Sequence, residues 1–503
     1  MAVLLFHFGV PYSSAGFFGV DIFFVISGYL MAAIVFKGLD GGNFSLSRFY
    51  LARARRIIPV LLVVVFVLLA LGWFFLPTPF YKPLGEEAVH ALFFSSNILY
   101  ADQAGYFDAA AHQKWLLHTW SLAVEAHFYI LFPIILWTIW RIRSSEMAII
   151  FALMLIIALS FLWGFWRYQD YASSAFYLLP SRGWELAVGS LTFFIERRVK
   201  LNAQVRKTFL AVGLTLLGSG FALIDESKPW PSFWTWLPVL GTALIILANL
   251  PNFYLLKNNI AQWLGARSYS LYLWHWPLVV LLFFIEKQDI WYYIVIAFVI
   301  SLMLAHLSYQ WIEVPTRSFM SKRTLKTEVY VLAALVFILG IGAASINNFA
   351  FNNRLPEKVE IAANEALNIN PRREECHTPA RGSQGSPGCI YGSHKKVGAI
   401  LIGDSHAVST VNTLQIAMNE EGRSVKLWSF SACPTLIEVN SYFRKGLCKQ
   451  STNWVLDQLQ NEDPTIPAVI VNSSDYVQWG QKPQIYFDNE YTSTSDSGFI
   501  SRS

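Results

Sequence analysis

Seven ionisable side chains of this 503-residue sequence fall well inside apolar runs: His7, Asp21, Glu125, Arg182, Glu185, His275 and His306. Charge removed from water is costly, so each such group must be paired, neutral or put to use. Arg182 and Glu185 stand three residues apart, a helical spacing at which they neutralise each other. His306 on its own reads as a packing histidine. Asp21, close to the end of its run, reads as a cap or as a partner for a neighbour. An imidazole such as His7 titrates near neutrality and suits removal of a hydroxyl proton, and a buried Glu125 can orient that ring or share the proton. A second set is basic. Arg53, Arg55 and Arg56 crowd the start of a helix, where guanidinium forks match phosphate oxygens or, more blandly, anchor topology. The third is Gly403-Asp404-Ser405-His406, straight after the apolar strand 397–402; a serine there is nucleophilic only with a base beside it.

The elements that position the first two sets are membrane helices. Apolar residues make up 54% of the chain and charged residues 14%, against roughly 25% charged in soluble domains. Neither a soluble globule nor a disordered chain tolerates that bias. Runs long enough to cross about 30 Å of hydrocarbon lie near 16–36, 57–76, 116–140, 147–166, 174–195, 208–224, 233–250, 268–286, 290–311 and 328–347. Residues 1–10 make an incomplete eleventh, since ten helical residues rise only about 15 Å. Alternate loops carry eighteen and five Lys or Arg residues. The basic set is therefore expected inside, with everything after residue 347 outside. The net charge of +5 follows from that asymmetry and gives no reason to expect nucleic acid. Glu125 then lies about nine residues, roughly 14 Å, from the outer face, and His7 in the outer half of its run.

The fold class expected is an all-α polytopic membrane domain over 1–347, with about ten or eleven transmembrane helices, followed by an incomplete α/β extracytoplasmic domain. Residues 348–396, rich in Asn, Pro, Gly and Ser, read as linker and domain entry. Residues 397–503 read as the α/β unit, with further strands near 425–430 and 468–472 and helices to about 421 and over 451–461. Cysteines outside the membrane can oxidise, so Cys376–Cys389 and Cys433–Cys448 are candidate disulfides, unpaired thiols being the alternative. No Cys-x-x-Cys or Cys/His cluster has metal spacing, so no metal site is expected. With no basic region ahead of the opening apolar run, no cleavable signal peptide is expected either.

The sequence closely resembles the membrane-bound acyltransferase-3 family. The resemblance rests on Phe6-His7-Phe8, on Gly19-Val20-Asp21-Ile22-Phe23-Phe24-Val25-Ile26-Ser27-Gly28-Tyr29-Leu30, and on Phe49-Tyr50-Leu51-Ala52-Arg53-Ala54-Arg55-Arg56-Ile57-Ile58-Pro59. It continues, in the family's order, through His118-Thr119-Trp120-Ser121-Leu122-Ala123-Val124-Glu125, Pro180-Ser181-Arg182-Gly183-Trp184-Glu185-Leu186 and Ser268-Tyr269-Ser270-Leu271-Tyr272-Leu273-Trp274-His275-Trp276-Pro277, and ends with Ser308-Tyr309 and Ile312-Glu313-Val314-Pro315. It covers about 1–320. Gly403-Asp404-Ser405 resembles the first block of SGNH hydrolase-like domains, so the whole resembles the fused subclass that O-acetylates bacterial glycans.

The resemblance implies a membrane O-acyltransferase moving an acyl group, commonly acetyl, from cytoplasmic acyl-coenzyme A to hydroxyls of a surface or exported glycan: lipopolysaccharide O-antigen, peptidoglycan or exopolysaccharide. It implies residence in a bacterial inner membrane with the C-terminal domain in the periplasm. Arg53 and Arg56 become coenzyme A ligands, His7 the base with Glu125 in support, and Ser405 the carrier of an acyl-enzyme. No permanently bound cofactor is implied. A polytopic transporter of glycans or lipid-linked intermediates is the rival reading. It shares the spans and buried charges but does not require the His7, Glu125 and His275 signatures.

Two departures stand against the pattern. The family's Arg about ten residues before His7 has no counterpart, which reads as a late start, and Ala126-His127 replaces the usual acidic residue after Val124-Glu125. In the last domain Asn472 is the candidate oxyanion donor, with a strand-end turn as the alternative. No His follows His406, and the Asp-x-x-His expected near the C-terminus of such domains is missing. A truncated unit with a loosely packed end and no esterase activity is therefore expected.

Overall fold

The computed structural model describes residues 1–103, 109–250, 253–349, 351, 354–365, 370–379, 386, 388–431, 433, 435, 439–441, 447–472 and 485–487. The chain divides into two compact units, Met1–Ala363 and Asn364–Ser503.

The first unit is helical. It runs α1 (Ala2–His7), α2 (Gly19–Asp40), α3 (Leu46–Phe75), α4 (Thr78–Leu92), α5 (Ser96–Ala101), α6 (Thr119–Ile142), α7 (Glu146–Asp170), α8 (Ala172–Tyr177) and α9 (Leu179–Arg198). It continues with α10 (Ala203–Leu223), α11 (Trp236–Ala248), α12 (Tyr254–Lys257), α13 (Asn259–Phe284), α14 (Trp291–Ser308), a π-helical turn at Tyr309–Glu313, α15 (Val314–Ser321), α16 (Leu325–Phe349) and α17 (Glu357–Glu365). Each of the ten expected runs except 233–250, which holds the shorter α11, holds one long helix. Among the described residues six helices are long and apolar enough to cross a membrane: those built on α2, α3, α6, α7, α14 with α15, and α16. α9, α10 and α13 are long but less apolar, α9 because it holds Arg182, Glu185, Glu196, Arg197 and Arg198, and α11 has only 13 residues.

Helices with little hydrophobic driving force between them associate through close backbone approach, and α2 with α9 shows how. A Cβ on Gly28 would lie 1.9 Å from the Leu186 carbonyl oxygen, and one on Gly189 would lie 1.9 Å from that of Val25. That contact puts Asp21 of α2 beside Arg182 and Glu185 of α9. Arg182 Nη2 donates to Asp21 Oδ1 at 2.8 Å and Nε to Glu185 Oε1 at 2.7 Å, all three fully buried. Trp230 Nε1 also donates to Asp21 Oδ1 at 3.2 Å.

The second unit runs α18 (Arg373–Cys376), β1 (His377–Pro379), β2 (Cys389–Tyr391), β3 (Val397–Gly403), α19 (Ser405–Glu420), β4 (Ser424–Ser431), β5 (Val439–Ser441), α20 (Leu447–Leu459), β6 (Ala468–Val471) and β7 (Ile485–Phe487). β1, β4, β3 and β6 lie side by side in parallel, with β2 antiparallel to β4, and β5 pairs with β7 in a second sheet. Alternate residues of β3 face opposite sides: Leu401 packs with Ala407, Val408 and Val411 of α19, and Ile400 and Ile402 with Trp428 and Val455. The stretch read as linker, 348–396, is thus part of this unit from Asn364 onward. β1 and β2 join its sheet, and the Cys376–Cys389 disulfide ties them together. Cys433–Cys448 is the second disulfide. The expectation of a loose C-terminal end concerns 488–503, outside the described residues.

Candidate active site

Helix α13 lines two cavities and touches the wall of another through Ser270, which donates to Glu313. Asn258 caps the helix, accepting from Ala261 N at 2.9 Å. That other cavity, of about 590 Å³, is walled by Arg53, Arg55 and Arg56 of α3, Glu313 of the π-turn and Arg317 of α15. Arg53 and Arg56, one helical turn apart, point into the same space. Arg55 is partly committed to Glu328, at 3.4 Å. Glu313 accepts from Ser270 of α13 at 3.0 Å. Arg53 Nε is buried with no hydrogen-bond partner. Four guanidiniums facing one carboxylate make this a site for a polyanion.

The second cavity, about 240 Å³ and mostly apolar, is lined by Glu125, Ser121, Tyr269, Tyr272, Leu4 and Phe23. The Glu125 carboxylate accepts from Ser27 Oγ and, at 3.1 Å, from Tyr129 OH. Tyr269 OH donates to the Ile57 carbonyl of α3 at 2.6 Å, one residue after Arg56, which fixes α13 against the arginine helix.

The third cavity, about 460 Å³, is lined by His7, His112, Trp276, Glu226, Asp289 and Trp291. His7 Nδ1 lies 2.9 Å from His275 Nε2, and His275 Nδ1 lies 2.7 Å from the Tyr272 carbonyl oxygen. Trp276 meets the His7 ring edge-on at 4.6 Å between centroids. Between the second and third cavities stands His118, 1% exposed, its ring centroid 5.4 Å from Tyr272 and 5.9 Å from His275. Glu87 holds the approach to this histidine by accepting from Leu116 N at 2.7 Å.

The sequence-selected residues thus separate. Arg53 and Arg56 share a cavity, whereas His7 and Glu125 face different ones, and the ring partner of His7 is His275. Asp21, Arg182 and Glu185 form an ion cluster of their own. His306 does more than pack: its Nδ1 accepts from Arg267 Nε at 2.9 Å. His127 lies 3.5 Å from the Asn97 amide. Sequence reasoning missed Arg317, three residues into α15, and His118. In sequence Arg317 reads as one of the basic loop residues and His118 as part of a motif. Their signal was available in the Glu313-Val314-Pro315 and Trp120-Ser121 stretches, but spacing alone does not bring α15 to α3 or α6 to α13.

In the α/β unit, Gly403 at φ +155° ends β3 where a Cβ would lie 1.8 Å from the Val471 carbonyl oxygen. Asp404 caps α19 by accepting from His406 N at 2.8 Å, and Ser405 is its half-buried first residue. The His406 ring turns back to Asp404, at 3.2 Å. Asn472 leaves β6 at the same sheet edge, because Val471 pairs with Gly403, and its Oδ1 accepts from Thr435 N at 3.2 Å. His377, at the level of Ser429 and Gly403 across β1, β4 and β3, has Nδ1 3.0 Å from Ser429 Oγ. Burial lowers its pKa, Arg373 adds to the shift, and Asp404 opposes it. Among the described residues none of the unit's three histidines, His377, His394 and His406, is hydrogen-bonded to Ser405.

A family model described as an acyltransferase domain matches residues 1–310, and one described as an SGNH domain fused to such domains matches 375–499. A peptidoglycan O-acetyltransferase, OatA, of Listeria monocytogenes is 29% identical over 341 residues, covering 63% of this chain and 54% of its own. An O-acetyltransferase OatA of Staphylococcus aureus is 28% identical over 375 residues, covering 68% and 60%. The chain therefore spans little more than half the length of these curated relatives. No solved structure matches.

Proposed function

We propose that this chain, which belongs to the acyltransferase-3 family, is a membrane O-acetyltransferase that moves an acetyl group from acetyl-coenzyme A to hydroxyls of a cell-envelope glycan. Peptidoglycan is the first acceptor to test, because the Listeria monocytogenes relative is described as a peptidoglycan O-acetyltransferase. The reading is carried by α13 linking three sites: Ser270 donates to Glu313 of the arginine cavity, Tyr269 and Tyr272 line the apolar chamber, and Trp276 lines the histidine cavity. From Tyr269 to Trp276 the helix rises only about 10 Å, and over that distance its contacts pass from Glu313 of the arginine cavity through the apolar chamber to the histidine pair.

In this reading Arg53, Arg56 and Arg317 hold the donor's phosphates from the cytoplasmic side, bidentate guanidinium contacts giving both charge and geometry. The acyl-bearing arm lies along the apolar chamber, with Glu125 held by Ser27 and Tyr129 on its wall. His7 takes the acceptor's hydroxyl proton, the hydroxyl oxygen bonds to the thioester carbonyl carbon, and the carbon–sulfur bond breaks. The departing thiolate recovers the proton from the His7 ring. In a second transfer Ser405 Oγ takes the acetyl from that first acceptor, its hydroxyl proton passing to the released oxygen, and then yields the acetyl to a glycan hydroxyl whose proton returns to Oγ. Lipopolysaccharide and exopolysaccharide are the alternative acceptors.

The test is the purified full-length protein in proteoliposomes, supplied with acetyl-coenzyme A and solubilised peptidoglycan strands. Thiol release and ester-linked acetyl on the glycan are followed together. Both are expected to depend on His7. Thiol release that survives His7→Ala, or no acetyl on any of the three glycans, would sink the proposal.

A further inference from the structure

A chain of two contacts sets which nitrogen of the His7 ring carries the proton. A backbone carbonyl oxygen only accepts hydrogen bonds. At 2.7 Å from the Tyr272 oxygen, His275 Nδ1 must therefore carry the proton. A neutral imidazole has one N–H, so His275 Nε2 holds a lone pair and can only accept. His7 Nδ1, 2.9 Å away, must then be the donor. With both rings neutral, the proton of His7 sits on Nδ1 and its lone pair on Nε2.

We infer that His275 is the positioning residue of the base, holding His7 in the Nδ1–H tautomer through the Tyr272 carbonyl–His275–His7 chain; the inference rests on the reading of His7 as base. The geometry supports the assignment beyond the two bonds. The rings are coplanar to within 3° at 5.2 Å between centroids, and Trp276 closes off the side of His7 at 70°. Both histidines are buried, His275 fully. The Tyr272 carbonyl is itself fixed, because the Tyr272 side chain is anchored at its far end: its hydroxyl donates to the His118 carbonyl at 2.5 Å and lies 2.7 Å from Ser121 Oγ. Tyr272 thus orients the base through its backbone while its side chain walls the neighbouring chamber. The third member of this chain is a carbonyl dipole rather than a carboxylate. It sets the tautomer without adding a negative charge to an apolar site, where an unpaired charge is costly.

The decisive measurement is ¹⁵N-histidine NMR of the full-length protein, with the His7 signals assigned by their loss in His7→Ala. The expected pattern is a protonated Nδ1 and an unprotonated Nε2 on His7 in the wild-type protein. A proton on Nε2 overturns the inference without any activity measurement, so it stands or falls even if the His275 variants do not fold. His275→Ala should lower kcat by about 10- to 100-fold, by analogy with the loss when a partner that orients a metal-bound imidazole is removed, with the KM for acetyl-coenzyme A unchanged. His275→Gln, whose amide oxygen can accept from His7 Nδ1, should recover much of that loss. An unchanged kcat in His275→Ala overturns the positioning role. Full transfer by His7→Ala alongside the expected NMR pattern sinks the catalytic reading of His7, and the positioning role with it, while the tautomer stands.

Discussion

His7 and Ser405, the proposed base and the proposed acyl carrier, are held differently by the two units. His7 is buried, with one ring nitrogen against His275 and an aromatic ring across its edge. Ser405 is half-buried on the first turn of a helix. The histidine next to it is 54% exposed and turned to Asp404. The difference follows from the solvent around each. In an apolar bundle a polar atom without a partner is expensive, so ionisable groups are drawn into connected chains. In an aqueous α/β unit water satisfies a hydroxyl, and nothing forces a base towards it.

The contrast is broken or sharpened first by the largest effect expected. His7→Ala should reduce thioester consumption by roughly 10²- to 10⁴-fold, the range for a positioned base. Ser405→Ala should leave thioester consumption within about twofold while lowering acetyl delivery to the glycan. Thiol release and glycan ester assayed side by side check both, and an equal loss of thiol release in the two variants would show that the units are not chemically separable.

The next effect tests the expense of unpaired charge in the bundle. Arg182→Ala leaves Asp21 and Glu185 buried without their cation, and removing one partner of a buried ion pair typically costs about 3–5 kcal/mol. Arg372→Ala in the α/β unit, which removes the exposed Arg372–Glu375 pair and the Arg372 contact with the Ile390 carbonyl, should destabilise far less. Thermal unfolding of the two variants in detergent gives the comparison directly. Similar losses would mean that burial in the bundle carries no special penalty.

How much of this was legible in the sequence follows the same line. The long helices could be placed because hydrocarbon demands about 20 apolar residues per crossing, and His7, Glu125 and Arg182 stood out against that background. The partner of His7 could not be chosen, since His275 lies 268 residues away and only the packing of α1 against α13 joins them. Arg317 escaped notice because basic residues at helix ends are ordinary topology signals. In the second unit β3, the Gly403 turn and both disulfides were readable. β1 and β2 were not: three residues each are too short for any periodicity to show.

A smaller effect separates anchoring from binding in the arginine cavity. Arg53→Gln with Arg56→Gln, and Arg317→Gln alone, should each raise the KM for acetyl-coenzyme A by about tenfold or more, since a hydrogen bond to a charged group is worth about 1.5–3 kcal/mol. Neither should change kcat or the amount of inserted protein. Arg48→Gln, outside the cavity, is the control. Wild-type donor affinity in all three proteins would reduce the cluster to a topology signal.

The smallest effect expected lies in the α/β unit and depends on pH. His377 has a lowered folded-state pKa, chiefly from burial and then from Arg373, with Asp404 opposing. Its unfolded value is about 6.5. As pH falls through that value the unfolded chain binds a proton that the folded ring resists, so folding loses stability towards acid and keeps it above about pH 7. His377→Gln removes the titration while its amide can still reach Ser429 Oγ, which the imidazole contacts at 3.0 Å. The melting temperature of the α/β transition should therefore fall less between about pH 7.5 and 5.5 in His377→Gln than in the wild type, by a modest margin because the ring is only half-buried. The pH slopes of all other groups are common to both proteins and cancel. Parallel slopes would show that His377 stays in contact with solvent enough to titrate as it does in the unfolded chain. The sheet edge beside Ser405 would then be wetter than the packing of β1 against β4 implies.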